Sequence, residues 1–180
     1  MEKDSREYTL TLERRCTYIL RSAQLFIAMQ AVSRLEAGNP APDFTAADTS
    51  GKTIHLSDFR GKKIVLYFYP KDDTPGCTVE GCGLRDVYQK IRAAGAEVLG
   101  VSVDDVGSHK AFTEKYKLPF PLVADTDKRI TENYGVYNEK WKMGRRVTFL
   151  IDEQGNIAKV FDPVKPDAHA KEVLDALKTQ

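Results

Sequence analysis

Cysteine is scarce in this chain: three residues, Cys16, Cys77 and Cys82, in a total of 180. So small and odd a number excludes a secreted domain stapled by disulfides. It points instead to a reducing compartment, the cytoplasm, where cysteine chemistry is catalytic rather than structural. Net charge is nearly missing too, at +1 from 27 basic and 26 acidic residues. That balance leaves no electrostatic footprint for nucleic acid or for an anionic membrane surface. Long hydrophobic runs are lacking: the mildly apolar stretch from Cys16 to Ala31 is too short and polar to span a bilayer, and Arg21 interrupts it. There are no repeats, low-complexity tracts or internal linkers. What remains is 42% hydrophobic, enough for the core of one ordinary domain.

Arg14 and Arg15 ahead of that stretch imitate a signal peptide, but Glu2, Asp4, Glu7 and Glu13 do not suit a basic leader or a transit peptide. Residues 1–34 are therefore expected to be a dispensable extension, helical or disordered, with Met29 as a candidate start. The folded domain is expected over 35–180.

From Asn39 the pattern alternates strands with helices. Asn39 to Phe44 is a proline-stiffened entry, and Asp48 to Lys52 reads as a hairpin turn before Thr53 to Leu56. Ile64 to Tyr69 is apolar or aromatic on both faces, as a central strand should be, and Pro70 ends it. A helix follows with Leu84, Val87, Tyr88 and Ile91 on one face, stopped by Gly95. Then come a strand from Glu97 to Val103, a helix from Ser108 to Tyr116, a short strand from Pro119 to Val123 and a short helix from Lys128 to Tyr134. Val147 to Ile151 forms a third buried strand, turned by Asp152 to Asn156 into Ile157 to Phe161. A last helix, opened near Asp167, is expected to bury Ala170, Val173, Leu174 and Leu177. This order predicts an α/β sandwich with a mixed central sheet flanked by helices, as in a thioredoxin-like fold.

The chemistry is concentrated between Pro70 and Cys82. Thr74 has the hydroxyl of an N-cap, and Pro75 suits the first helical position, where a missing N–H costs nothing. That puts Cys77 in the first turn, where free backbone N–H groups and the positive end of the helix dipole favour thiolate over thiol. Cys82 lies on the same helix. Five residues of continuous helix turn about 140° and rise about 7.5 Å, so the two Cα atoms stand roughly 8–9 Å apart. A disulfide requires less than about 7 Å. A bond between them requires the first turns to unwind, and Gly76, Gly81 and Gly83 weaken the helix there.

Other chemistries fit less well. Zinc sites favour two residues between paired cysteines and need two more ligands, whereas here four residues intervene. His55, His109 and His169 are scattered in turn and helix contexts and are expected to serve as surface or capping residues. Asp72 and Asp73 read as solvated turn residues. A cysteine hydrolase would need a histidine base, and no local motif nominates one.

The segment Pro70-x-x-x-Thr74-x-x-Cys77 resembles the peroxiredoxin active-site motif. The longer string YFYPKDDTPGCTVEGCGLRD is similar to the bacterioferritin comigratory protein subfamily, also called peroxiredoxin Q. Further matches are Ala41 to Phe44 and Arg146 to Asp152, so the resemblance runs from about Leu35 to Leu177. It implies that Cys77 is the peroxidatic cysteine and Cys82 the resolving cysteine. It further implies that Thr74 hydrogen-bonds thiolate and peroxide, Arg146 sits over the thiolate, and Pro70 shields the site from water. Arg146 is preferred to Arg145 because neighbours on a strand point to opposite faces. Glu80 also follows the subfamily pattern, with a solvated helix carboxylate as an equal reading. The extension carrying Cys16 departs from the pattern.

By that resemblance the chain is a thiol peroxidase acting on hydrogen peroxide and organic hydroperoxides. Its disulfide would be reduced by thioredoxin or a similar dithiol, and no metal, flavin or haem is implied. The subfamily is often monomeric, so a monomer is expected, with no nucleic acid or membrane partner. Two alternatives stay open. A thiol–disulfide oxidoreductase on the same fold usually has two residues between its cysteines and a tryptophan beside the first, but the one tryptophan here is Trp141. A non-enzymatic redox sensor or chaperone-like protein would keep a reactive cysteine without turnover.

Overall fold

The computed structural model describes residues 34–179. The expectations for the N-terminal extension, Met29 and Cys16 fall outside the described residues. In chain order the elements are β1 (Thr45–Asp48), β2 (Thr53–His55), a 3-10 turn (Leu56–Phe59), β3 (Lys63–Phe68), α1 (Pro75–Ala93), β4 (Ala96–Ser102), α2 (Val106–Tyr116), β5 (Leu122–Ala124), α3 (Arg129–Asn133), β6 (Tyr137–Asn138), β7 (Met143–Gly144), β8 (Val147–Ile151), β9 (Ile157–Phe161) and α4 (His169–Lys178).

Seven strands form one sheet in the order β2-β1-β5-β4-β3-β8-β9, and β6 pairs with β7 separately. The segments β3–α1–β4 and β4–α2–β5 make two parallel crossovers, while β8 runs antiparallel to β3 and turns back as β9. The result is the expected mixed sheet flanked by helices.

Side-chain alternation along the central strands explains why both faces are buried. Val65, Tyr67 and Tyr69 face one side together with Val98 and Leu150. There they pack against Leu84 and Ile91 of α1, Phe112 of α2, and Val173 and Leu177 of α4. Ile64, Leu66 and Phe68 face the other side with Leu99, Val101 and Phe149, and meet Phe44, Leu56, Ile130 and Tyr134. Each such fully buried side chain contributes about 1.5–3 kcal/mol relative to exposure. Gly100, in β4, faces α1 where the Tyr67 ring crosses it: an added Cβ would sit 2.7 Å from that ring and from Leu122. Only a residue without a side chain lets Tyr67 lie flat across the strand.

Three features differ from expectation: a strand boundary, an added ribbon and a helix face. The strand expected at Pro119 to Val123 is confined to Leu122–Ala124, because Pro119 and Pro121 have no N–H to give a ladder; Leu118 and Phe120 fill the core instead. The β6–β7 ribbon has two residues on each side, too few to leave a period in the sequence. In α4 the buried face is His169, Val173, Ala176 and Leu177, with Ala170 and Leu174 only partly covered. No helix among the described residues is long and apolar enough to cross a membrane.

Candidate active site

The C-terminal end of β3 delivers the chain into the site. Tyr69 is still held to β4 by its N–H on the Val101 carbonyl, at 3.1 Å, and half-buried Pro70 ends the pairing. Helix α1 opens as expected, with Thr74 at its N-cap in extended conformation and Pro75 in its first turn. The capping hydrogen bond is not made. The Thr74 hydroxyl donates to the Lys71 carbonyl at 3.1 Å, while its own carbonyl accepts the Thr78 N–H at 2.8 Å. Cys77 therefore stands in the first turn, where its N–H has no intrahelical acceptor.

The loop before the helix is anchored from α2, and two expectations fail here. Asp72 is not a solvated turn residue: it is 7% exposed and accepts from the hydroxyls of Tyr69 and Ser108, both at 2.7 Å. His109 is not at the surface but fully buried, its Nδ1 2.8 Å from Asp72 and its Nε2 3.1 Å from the Val123 carbonyl. Burial pushes the Asp72 carboxyl up, but His109 and the two hydroxyls outweigh it and leave the group below its ordinary value. Asp73 is solvated as expected, yet Lys115 and Tyr116 hold it from α2, and it adopts a left-handed φ of 54°. Thus α2 fixes both ends of the bend that aims α1.

Cys77 is 2% exposed and a free thiol. Arg146, one residue ahead of β8, shares the parity of Thr148 and Leu150 and so points to the α1 face. Its Nη2 donates to Cys77 Sγ at 3.2 Å, and its Nη1 donates to Glu80 Oε2. Burial pulls the guanidinium down, but Glu80 and Cys77 beside it outweigh burial and hold it above its ordinary value, so it stays charged. Arg145 points the other way and reaches Asp162 at 3.2 Å. An added Cβ on Gly76 would lie 3.2 Å from Arg146 Nη2, so the glycine leaves the arginine its seat.

Behind the arginine lie Glu80, for which a functional and a solvated reading stood equal in the sequence, and His169, expected to be a surface or capping residue. Glu80 is fully buried rather than solvated, and fully buried His169, at the start of α4, approaches it with Nδ1 2.9 Å from Oε1. Besides the subfamily pattern, Glu80 carried a helical signal, since it lies three positions after Cys77 on the same helix face. His169 carried none. The Tyr67 hydroxyl is buried nearby without a partner. Burial first, then Glu80, Asp72 and Cys77, push it well above its ordinary value and keep it neutral.

Cys82 is partly exposed, also a free thiol, and α1 is unbroken between the two cysteines. Among the described residues no group of three or more His, Cys, Asp or Glu is arranged to hold a metal ion. His55 lies at the surface, against the Thr45 hydroxyl.

Residues 37–160 match the AhpC/TSA family. A Bcp-type peroxiredoxin relative from Coxiella burnetii is 48% identical over 149 residues, covering 79% of this chain and 99% of that protein. The chain belongs to the AhpC/TSA family of peroxiredoxins. It is 41% identical to the chloroplastic peroxiredoxin Q of Triticum aestivum over 160 residues, covering 88% of this chain and 72% of that protein. The Xanthomonas campestris bacterioferritin comigratory protein, whose structure was described for its alkyl peroxide reduction activity, superposes with a TM-score of 0.74 at 35% identity, covering 80% of this chain and 98% of that one. As a peroxiredoxin the chain is a thiol peroxidase, and its thioredoxin-like sheet carries a buried cysteine against an arginine.

Proposed function

We propose that this peroxiredoxin reduces hydrogen peroxide and organic hydroperoxides through Cys77, with Cys82 resolving the oxidised sulfur on the same chain. The Cys77 thiolate attacks the distal peroxide oxygen: an S–O bond forms and the O–O bond breaks. The departing oxygen leaves with the electron pair, takes up a proton and becomes water or an alcohol. Cys77 is left as a sulfenic acid.

The observation that supports this reading is the Arg146 guanidinium donating to Cys77 Sγ at 3.2 Å in a nearly closed site. A preorganised donor of that kind stabilises the charge growing on the leaving oxygen, and is worth about 2.7–4 kcal/mol. A low thiol pKa alone would not suffice, since nucleophilicity falls with it. Because the Thr74 hydroxyl gives its proton to Lys71, its lone pairs are left to accept from the peroxide O–H. Pro70 covers the strand end beside them. Burial of Cys77 to 2% also argues against direct exchange with a protein disulfide, which needs access to the sulfur.

The sulfenic acid then condenses with the Cys82 thiol, forming a disulfide and releasing water. With α1 intact the two Cα atoms are roughly 8–9 Å apart, so the first turns must open for this step. A dithiol reductant such as thioredoxin returns both thiols. One monomer suffices, because both sulfurs ride on one helix, and the cytoplasm is the proposed setting. The test is a steady-state assay with thioredoxin, its reductase and either peroxide. Turnover should vanish in Cys77→Ser. In Cys82→Ser one equivalent of peroxide should still be consumed, leaving a sulfenic acid that a dimedone-type reagent labels on Cys77. Turnover by the Cys77 variant, or no label in the Cys82 variant, refutes the assignment.

A further inference from the structure

Glu80 poses a problem for the arginine that serves Cys77. A carboxylate directly on a guanidinium neutralises it and is free to draw it away from the sulfur. With Cys77 ionised, the buried groups Cys77, Arg146 and Glu80 sum to one negative charge, and uncompensated buried charge is costly. Facing Glu80 from the opposite side is His169, fully buried, with Nδ1 2.9 Å from Oε1.

The contact is close but not aligned as a hydrogen bond, and both ring nitrogens and Glu80 Oε1 are buried without a hydrogen-bond partner. A carboxylate oxygen accepts and does not donate, and the other oxygen of Glu80 already accepts from Arg146. A bare ring lone pair at 2.9 Å from it would repel, so Nδ1 carries a proton. The Phe161 ring meets it edge-on from β9. Tyr67, the other titratable group beside Glu80, is held neutral. The ring is built into the α1–α4 contact, where Gly83 faces Ala170 and lets the two helices approach.

We propose that His169 is a positioning residue for peroxide reduction. Its Nδ1 proton holds the far oxygen of Glu80, and Glu80 so held keeps Arg146 fixed with one nitrogen on itself and the other on Cys77. The residue touches neither sulfur nor peroxide and acts through Glu80. A histidine that only filled space would give a different pattern of substitutions from one that supplies a proton at Nδ1.

The inference rests on Cys77 being the peroxide-reactive thiol, so the experiment begins with the unaltered protein. The second-order rate of Cys77 oxidation by hydrogen peroxide is measured for the full chain and for His169→Asn, His169→Gln and His169→Leu, with melting curves alongside. Asparagine puts an N–H near the Nδ1 position, whereas glutamine puts one near Nε2 and leucine removes it. Leucine and glutamine should slow oxidation about tenfold or more, which is about 1.4 kcal/mol of barrier. Asparagine should recover most of the rate. If the leucine variant does not fold, the asparagine–glutamine difference still decides. Equal rates for asparagine and glutamine, or leucine matching the unaltered protein, overturn the role of His169. An unaltered protein whose Cys77 ignores peroxide overturns the proposed function instead.

Discussion

Arg146 meets Cys77 across 69 residues of sequence, with Nη2 3.2 Å from Sγ and Nη1 occupied by Glu80. The guanidinium fork makes the arrangement possible, since one planar group reaches two acceptors in fixed directions.

Lysine at that position keeps the charge and loses the fork. Its single nitrogen cannot take the places of two guanidinium nitrogens fixed in separate directions. Arg146→Lys should therefore slow Cys77 oxidation by about 10²–10³, the effect of losing one preorganised donor. Stopped-flow oxidation kinetics check this. A slowing of less than about threefold would mean that the charge alone, without the geometry, is enough.

Gly76→Ala separates stability from activity. Alanine favours a helix by up to about 1 kcal/mol over glycine, so the melting temperature should hold or rise. The new Cβ, 3.2 Å from Arg146 Nη2, crowds a side chain already tied at both ends. Peroxide reduction should fall roughly tenfold, about 1.4 kcal/mol of barrier. An unchanged rate would show that the arginine has room to give way.

Asp72 predicts a pH dependence. Burial raises its carboxyl, but His109 and the Tyr69 and Ser108 hydroxyls lower it further, so the folded value lies below the unfolded one. A group depressed in this way contributes stability that is fully present above its unfolded value, about pH 3.9, and is lost as pH falls through the folded one. Melting temperature should drop below about pH 4 in the unaltered protein and drop less steeply in Asp72→Asn. Removing one partner by His109→Leu leaves the carboxylate only the Tyr69 and Ser108 hydroxyls and should cost about 1–3 kcal/mol near neutral pH, read by denaturant unfolding. Parallel pH curves for the unaltered protein and Asp72→Asn would exclude the pair as the source.

The sequence carried the fold well wherever a period was long. The two-faced apolar run of β3, the three-four spacing of Leu84, Val87, Tyr88 and Ile91 in α1, and the β8–β9 hairpin are all where local pattern puts them. Short elements left no such trace, and prolines moved β5 by several residues. At the site, Thr74, Pro75 and Cys77 were legible because a helix start is chemistry between neighbours in the chain. The hydroxyl of Thr74 was misread in its bond though not in its place: it donates to the Lys71 carbonyl and does not accept from a backbone N–H of the helix.

By itself, then, the order of residues determined which thiol opens the helix, which one follows it five positions on, and which of two adjacent arginines faces the sulfur. Strand parity and helix capping act over a few residues, so they can be read along the chain. Only the tertiary structure decided that Glu80, Asp72, His109 and His169 are buried and paired. Their partners lie on elements far apart in sequence, and the polarity of a side chain does not reveal that the fold encloses it with a complementary charge.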